Sequence, residues 1–364
     1  MRIGILGSKV TITEKEGNYY GIGEVLSRKH TVDMVGPHKG HLKELDQIFN
    51  FYDYNSIQPN KPGRNSLFIR FLDFIKSIHN MVTYARRKRP DVIISIMADE
   101  RNSYVIFIAK LLGRCKGIVR FANDPFTIHR SKKNKFNSFL TRLNYKIVLS
   151  LCRSFDGIIV LSDSIRQKMI KKGFDSKKVR VIMHPLDYSQ YKLNYKPDAN
   201  LSQKRNVFFG GTLTKRKGLD TILAILKNKD IQEKCHFYLA GKDKGGYAKY
   251  ITKYPNVSYL GQIPKKKVIE YLHTVDAVMV PSISDPFPKI ITDAYMCGAP
   301  IIVRDIPELD RLYDYRFSDE KELIDILLNK KMIRKKKIDI PQDFKRDIID
   351  KQYLDLIDYV VRKK

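Results

Sequence analysis

Two acidic side chains stand eight positions apart in PSISDPFPKIITDAYMCGAPIIV, residues 281–303. Asp285 precedes and Asp293 follows Pro288, which fits the first turn of a helix because its missing N–H is not needed there. Gly298 is the predicted end of this helix. Since ligands of open α/β sheets bind beyond the carboxyl ends of strands, the acids could face a ligand. They could equally be a helix cap and a solvated acid.

A glycine loop forms the second cluster, in FFGGTLTKRKGLDTILAIL at residues 208–226. An apolar strand runs into Gly210 and Gly211, which permit close backbone approach, and the following helix offers its first amides to an anion. Arg216 and Lys217 add positive charge, so the pattern predicts a phosphate or diphosphate site. The alternative is an ordinary tight turn with surface lysines. The loop is neither a Walker motif nor a G-x-G-x-x-G fingerprint.

Two weaker clusters lie in the first half of the chain. YYGIGEVLS at residues 19–27 is predicted as a glycine-bearing turn after the first strand, and FANDPFTIHR at residues 121–130 is a polar cluster after a later strand. Both are expected at the ligand-binding edge of a sheet. Either could instead be a structural turn.

The elements that position these clusters are short apolar runs alternating with helical patterns. Such alternation predicts doubly wound α/β domains with parallel sheets. It stops over residues 190–203 and then restarts, which predicts two similar domains in tandem. A final segment, DIIDKQYLDLIDYVVRKK, is amphipathic at helical spacing. The predicted strands are 2–7, 31–36, 91–97, 117–121 and one near 157, then 206–211, 235–241, 256–261, 276–282 and 300–305.

The composition is that of a globular protein with an extreme positive charge. The 364 residues exceed the usual size of one core, and 43% of them are hydrophobic. Lys and Arg number 68 against 39 Asp and Glu, a net charge of +29. Nucleic acid, anionic lipid and anionic small molecules are the partners that suit such a charge. The basic runs at 86–89, 265–267 and 334–337 are expected to be solvated faces or, failing that, a docking surface.

Cysteine spacing and apolar runs bear on the cellular setting. The four cysteines are far apart, so no metal site is predicted and a reduced, cytoplasmic setting is expected. The opening residues, MRIGILGSKVTI, are typical of a strand and lack the features of a signal peptide. Residues 91–113 are apolar but interrupted by Asp99, Glu100 and Arg101, so any membrane contact is expected to be peripheral.

Taken together, these motifs resemble the retaining glycosyltransferases of family 4, also called glycosyltransferase group 1. GTLTKRKG at 211–218 is similar to the family's glycine loop, and residues 281–303 are similar to its acidic pair followed by Ala, Gly and Pro. Further landmarks agree in order: DGIIVLSDSIRQKMIKKGF, VRVIMHPLD, YLAGKDKGG and NVSYLGQIPKKKVIEYLHTVDAVMVPS. The resemblance implies the GT-B architecture, an α/β fold in which two Rossmann-like doubly wound domains face each other across a cleft and the C-terminal helix crosses back to the first domain.

The family architecture implies an acceptor-binding N-terminal domain over residues 1–195, completed by the returning helix 346–364. A nucleotide-sugar donor-binding domain follows over 196–345. In the first domain, Asn123 stands where many members have a histidine near the donor sugar, and it is assigned sugar contact because an amide does not titrate. Gly21 is the candidate for close backbone approach to the donor phosphate.

The same resemblance assigns roles in the second domain. Lys217, with Arg216 beside it, matches the lysine that binds the donor diphosphate. Asp285 matches the acid that contacts the donor sugar, and Asp293 matches the acid that binds the ribose hydroxyls; the family usually has glutamate at both places. Thr212 stands where many members carry a second arginine. Lys217, Arg216 and Asp285 are therefore the predicted catalytic residues, and the predicted donor-binding residues are Gly21, Asn123, Gly211, Thr212, Phe287, Pro288, Lys289 and Asp293.

The implied reaction transfers a hexose-type sugar from a nucleotide diphosphate sugar to a hydroxyl acceptor, a lipid-linked or growing surface glycan, with retention at the anomeric carbon. Cationic side chains and helix N-termini would stabilise the leaving diphosphate without a metal or other cofactor. Lipid-linked acceptors and the net charge of +29 predict peripheral attachment to the anionic inner face of the cell membrane. No nucleic acid partner is expected, because the basic residues are dispersed and no standard module appears. The alternatives are a sugar-nucleotide epimerase of the same architecture, a basic nucleic-acid-binding protein and a noncatalytic partner subunit.

Overall fold

The chain divides into two compact units in the computed structural model. The first comprises Met1–Leu186 and Pro341–Lys364, and the second comprises Asp187–Ile340. The predicted boundary between residues 195 and 196 lies outside the described residues. The structure describes residues 1–6, 18–36, 43–53, 67–96, 100–122, 124–126, 135–185, 191, 201–285, 287–335 and 338–362.

The first unit is a parallel sheet with helices in its connections. Its strands are β1 (Arg2–Leu6), β2 (Thr31–Gly36), β3 (Asn50–Asp53), β4 (Val92–Ser95), β5 (Lys116–Arg120), β6 (Gly157–Val160) and β7 (Val179–Val181). Its helices are α1 (Asn18–Ser27), α2 (Leu67–Lys88), α3 (Glu100–Gly113), α4 (Lys135–Arg153), α5 (Asp163–Lys171) and α12 (Arg346–Arg362). Within the described residues the sheet has seven strands in the order β3-β2-β1-β4-β5-β6-β7.

Burial on both faces explains why the central strands of this sheet are continuous apolar runs. In the β1–β4 pair, Ile3 lies beside Val92 and Ile5 lies beside Ile94, and all four side chains are buried. Helices cover both faces of such a parallel sheet, so successive residues of a strand meet apolar neighbours on either side.

The second unit repeats this plan. Its strands are β8 (Arg205–Gly210), β9 (Cys235–Ala240), β10 (Val257–Gly261), β11 (Ala277–Val280), β12 (Ile301–Arg304) and β13 (Tyr315–Phe317). Its helices are α6 (Leu219–Ile225), α7 (Lys229–Lys234), α8 (Ala248–Ile251), α9 (Lys265–Thr274), α10 (Lys289–Met296) and α11 (Glu320–Asn329). The strands are parallel in the order β10-β9-β8-β11-β12-β13. The order reverses between β8 and β11, so the loops that follow these two strands lie side by side at the ligand-binding edge.

The C-terminal helix α12 belongs to the first unit, as predicted. Its apolar face is buried, and Leu356 and Val360 lie so close to β6 that a Cβ atom on Gly157 would be 3.2 Å from each of them. Ion pairs join it to α1, with Arg346 Nη2 at 2.8 Å from Glu24 Oε2 and Arg28 Nη1 at 2.5 Å from Asp350 Oδ2.

The predicted strands all form, and the structure adds β3, β7 and β13. These additional strands lie at the ends of the two sheets, where a strand pairs on one side only and needs no continuous apolar run. The turn predicted at residues 19–27 is wrong, because α1 begins at Asn18 and buries Ile22, Val25 and Leu26 on one side. Among the described residues, no helix combines the length and apolar character needed to cross a membrane.

Candidate active site

The glycine loop after β8 packs directly against the acidic-pair loop after β11. At Gly210, the last residue of β8, a Cβ atom would lie 2.8 Å from Cδ1 of Ile290 in α10. Gly218 has a φ of +81°, and a Cβ atom there would lie 2.0 Å from the carbonyl oxygen of Pro281. The two glycines therefore allow the loops to lie closer together than residues with a Cβ atom would permit.

Hydrogen bonds hold the two loops in this position. The Ile283 N–H donates to the Arg216 carbonyl oxygen at 3.0 Å. In return, Arg216 Nη1 donates to the Ser284 carbonyl oxygen at 2.8 Å. The cationic side chain of the first loop is thus fixed to the backbone of the second.

Lys217 and Arg216 converge on Asp285. Lys217 Nζ donates to Asp285 Oδ2, and Arg216 Nη1 lies 3.7 Å from the same oxygen. Asp285 is buried and the Lys217 side chain is only 16% exposed, so the interpretation of Lys217 as a surface lysine is wrong. The helix-cap interpretation of Asp285 is also wrong, because Pro288 is the N-cap of α10 and, among the described residues, no side-chain hydrogen bond caps that helix. The three predicted catalytic residues lie together at the switch point of the sheet.

Asp293, in α10, is buried between two partners. Its Oδ1 accepts a hydrogen bond from Tyr191 Oη at 2.5 Å, and its Oδ2 forms an ion pair with Lys265 Nζ. The same ammonium lies 5.7 Å from the centroid of the Tyr191 ring. The interpretation of Asp293 as a solvated acid is therefore wrong, and Lys265 does not belong to a solvated face.

Sequence reasoning did not identify Lys265 or Tyr191. Lys265 is the first residue of α9, which packs against α10, and this places its ammonium at Asp293. The one signal in the sequence was charge, since a buried carboxylate needs a cationic or hydrogen-bonding partner and the run 265–267 lies nearby in the chain. Nothing in the spacing connects Tyr191 to either residue.

The other predicted donor-binding residues of the second unit flank the Lys217–Asp285 pair. The Gly211 N–H donates to the Ala240 carbonyl oxygen at 2.9 Å, which fixes the start of the loop. A Cβ atom on Gly211 would lie 3.9 Å from Cδ and Cε of Lys217, so the glycine borders the lysine side chain. The remaining residues are the half-buried Thr212 and Lys289 and the buried Phe287 and Pro288.

The two predicted site residues of the first unit have different outcomes. Gly21 lies inside α1, where a Cβ atom would be 3.3 Å from the carbonyl oxygen and from Cβ of Pro185. The group that closely approaches the Gly21 backbone is therefore Pro185 of the same unit. Asn123 lies outside the described residues.

The chemistry that this arrangement supports is the binding of an anion. Lys217 and Arg216 offer two cations beside backbone amides at the carboxyl edge of the sheet, the setting that suits phosphate groups. Nearby, burial and then the charge of Asp293 raise the pKa of the Cys297 thiol to about 12, so this thiol stays protonated at neutral pH. Among the described residues, no three His, Cys, Asp or Glu side chains group together as metal ligands.

Two parallel sheets, with a glycine loop and paired cations at the switch point of the second, define an α/β protein of the Rossmann-like class. The sequence profile of Glycosyltransferase Family 4 matches residues 20–190, and that of Glycosyl transferases group 1 matches residues 193–313. The chain belongs to the group 1/family 4 type of GT-B glycosyltransferases.

Individual relatives agree with this placement. The chain is 26% identical over 217 residues to the alpha-galactosylglucosyldiacylglycerol synthase of Streptococcus pneumoniae, a match that covers 55% of this chain and 56% of the synthase. It is similar in structure to Anabaena HepE in complex with UDP-glucose, with a TM-score of 0.66, 16% identity and coverage of 100% of this chain and 98% of HepE. Sucrose-phosphate synthase from Thermosynechococcus elongatus gives a TM-score of 0.68 at 16% identity, over 99% and 94% of the two chains. The two structures show that the fold is shared.

Proposed function

We propose that this protein transfers a sugar from a nucleotide diphosphate sugar to a hydroxyl acceptor. The observation that carries the proposal is the convergence of Lys217 and Arg216 on Asp285 at the switch point of the second sheet. Membership in the glycosyltransferase family supports it. The second unit is the proposed donor-binding domain, and the first unit, with α12, is the proposed acceptor-binding domain.

In the proposed reaction, the bond between the anomeric carbon and the diphosphate oxygen breaks while the acceptor oxygen bonds to the same face of that carbon. A donor phosphate oxygen takes the acceptor proton, so no enzyme nucleophile is needed. Lys217 and Arg216 stabilise the negative charge that develops on the diphosphate in the transition state. Electrostatic stabilisation of this kind is usually the largest contribution of an enzyme to such a step. The transfer is proposed to be retaining and to need no metal or other cofactor.

Asp285 and Asp293 are proposed to contact the two remaining parts of the donor, the sugar and the ribose. Asp285, with Phe287, Pro288 and the amides that follow, is proposed to face the sugar. Asp293 is proposed to accept hydrogen bonds from the ribose hydroxyls. Lys265 and Tyr191 hold both of its oxygens, which fixes where this carboxylate points.

A UDP-hexose is the donor that we propose, because the structural relative HepE is in complex with UDP-glucose. A lipid-linked or growing glycan is the proposed acceptor, because the curated relative is a glycosyldiacylglycerol synthase. Peripheral association with the inner face of the membrane would bring the protein to such an acceptor.

The test is Lys217→Ala, assayed against a panel of nucleotide sugars by thermal shift and by release of nucleoside diphosphate with lipid acceptors. Loss of the diphosphate-binding cation is expected to lower the rate by about 10²–10³-fold. The matched control is Lys215→Ala in the same loop, since the Lys215 side chain is 77% exposed and pairs only loosely with Asp220, at 3.5 Å.

An unchanged rate in Lys217→Ala would sink the phosphate assignment. If the protein converts the donor to its epimer in the absence of an acceptor, its activity is epimerisation and not transfer. In the wild type, the anomeric configuration of the product by NMR is expected to match that of the donor. A chelator is expected to leave the rate unchanged, and an inverted product or loss of the rate with chelator would contradict the retaining or metal-free step respectively.

A further inference from the structure

Helices α2, α3 and α4 form one layer on the sheet of the first unit, with α3 between the other two. Phe74 of α2 meets Tyr104 of α3 edge to face, with ring centroids 6.1 Å apart. Tyr104 Oη in turn donates to Asn144 Oδ1 of α4 at 2.7 Å. Because the sheet covers the inner side of this layer, exposed side chains on the three helices project from one outer surface.

This outer surface carries most of the large exposed hydrophobic side chains found among the described residues. Phe71 is 57% exposed and Leu111 is 67% exposed. The others, Met1, Tyr250, Ile283 and Ile333, are scattered along the chain. Soluble proteins rarely leave a large apolar patch without a partner. We call this surface the helical face, and its apolar members are Phe71, Leu72, Ile75, Leu111, Leu112, Leu143 and Ile147.

The charge that α2 and α4 expose is of one sign. The sequences of α2 and α4 contain a single acidic residue, Asp73, and its buried carboxylate accepts a hydrogen bond from Arg101 Nη1 at 2.7 Å. No carboxylate of these two helices therefore reaches the surface. Among the side chains that the structure describes, the exposed cations on or next to the three helices are Arg86, Arg87, Lys88, Arg89, Arg114, Lys146 and Arg153.

We propose that the helical face docks on an anionic lipid bilayer. Its large apolar side chains would enter the boundary between head groups and acyl chains, and the cations would pair with lipid phosphates, the combination by which amphipathic helices bind membranes. The proposed function explains only why docking would be useful: a membrane-bound enzyme meets a lipid-linked acceptor in the bilayer. In that respect the inference rests on the proposed function.

Two other partner classes fit the surface less well. A nucleic acid would pair with the cations but would leave the large apolar side chains of three helices in water. A protein partner would bury the apolar side chains but would also have to place acidic side chains opposite each group of cations. An anionic bilayer satisfies both the apolar and the cationic groups along one plane.

The experiment is flotation with vesicles of phosphatidylcholine alone and with phosphatidylglycerol added at about a 7:3 ratio. The wild type is expected to float with the anionic vesicles and to bind the neutral ones at least tenfold less. Phe71→Ser/Ile75→Ser should lower binding to anionic vesicles about tenfold by removing inserted apolar area. Arg86→Glu/Arg87→Glu should do the same at low salt, and salt at about 1 M should release the wild type because it screens the cations.

Matched controls lie on the second unit. Ile333→Ser removes one apolar side chain that is more exposed than Phe71 or Ile75, and Lys227→Glu/Lys229→Glu reverses two exposed charges, as Arg86→Glu/Arg87→Glu does. Both controls should float like the wild type. The proposal is overturned if the wild type does not float with anionic vesicles at low salt, or if the helical-face variants bind like their controls. It is also overturned if the wild type is a dimer that ignores vesicles and Phe71→Ser/Ile75→Ser makes it monomeric. Thermal shift with UDP, which all of these variants should retain, separates this failure from failure of the proposed sugar transfer.

Discussion

Asp285 accepts a hydrogen bond from Lys217 and lies near Arg216, so its carboxylate competes with any anion that these cations bind. A diphosphate brings more negative charge than one carboxylate and can draw both cations to itself. Lys217 would then exchange partners, and Asp285 would be released toward the sugar. The pair is thus both a structural contact and the first contact that donor binding must break.

Asp285→Asn tests this exchange at the scale of one residue. The amide keeps the size of the side chain but removes its charge, so the affinity for UDP and for inorganic pyrophosphate is expected to rise about fivefold, the equivalent of about 1 kcal/mol. The transfer rate is expected to fall, because the contact with the sugar is weakened. Isothermal calorimetry and the transfer assay measure the two effects.

The control for Asp285→Asn is Asp230→Asn, which removes one partner of an exposed ion pair with Lys234 at 3.2 Å. It should change neither quantity. Weaker pyrophosphate binding in Asp285→Asn would contradict the competition and make Asp285 a residue that positions Lys217.

At the scale of single residues, the sequence predicted where the site residues lie better than it predicted which side chains they contact. The position of each loop after an apolar strand was enough to place Lys217, Arg216 and Asp285 at the ligand-binding edge of the sheet, because parallel strands all end at that edge. The contact of Asp293 with Lys265 depends on which faces α9 and α10 turn to each other, and no local pattern encodes that choice.

The elements were predictable for a different reason. The central strands are buried on both faces and form continuous apolar runs in the sequence, whereas β3, β7 and β13 lie at sheet edges and need fewer apolar residues. The close contact between the loops after β8 and β11 was not predictable, since it depends on the backbone conformation at Gly218.

Gly218→Ala tests that contact, and Gly173→Ala is its matched control. Both glycines have left-handed backbones, with φ of +81° and +84°, but a Cβ atom at Gly173 would meet nothing within 4 Å. The control should therefore cost only the conformational strain, about 1 kcal/mol. Gly218→Ala should cost about 2 kcal/mol more, because the new methyl group meets the Pro281 carbonyl and the loops must separate.

Chemical denaturation and pyrophosphate binding measure the outcome at Gly218. Binding should weaken in Gly218→Ala and stay unchanged in Gly173→Ala. Equal losses of stability in the two variants would show that the loops tolerate a wider separation than this contact implies.

At the scale of the whole molecule, the chain leaves the first unit, builds the second and comes back. The returning helix α12 buries Ile349, Tyr353, Leu356, Ile357 and Val360 against the first unit. The core of that unit is therefore assembled from segments far apart in the sequence. Damage to α12 should be felt in the first unit before the second.

Leu356→Ala measures this dependence. Removing the buried side chain beside Gly157 should destabilise the first unit by about 2–5 kcal/mol. Hydrogen exchange should then show faster exchange in β5 and β6 with little change in β8 and β9. Lys351→Ala, at an exposed position of the same helix, is the control and should leave both units as they are. Equal loss of protection in β8 and β9 would mean that the two units unfold together.

The return of the chain also sets an order for folding during synthesis. When Leu186 has left the ribosome, the nascent first unit has all its strands but lacks α12, so the apolar groove that receives that helix is open to water. The whole of Asp187–Ile340 must then be translated, which takes on the order of ten seconds. During that interval the second unit can fold to completion while the first waits. A chaperone that binds the nascent chain at the ribosome and covers the open groove should therefore raise the yield of folded protein. Its effect should be larger than that of a chaperone that acts after the chain has left the ribosome.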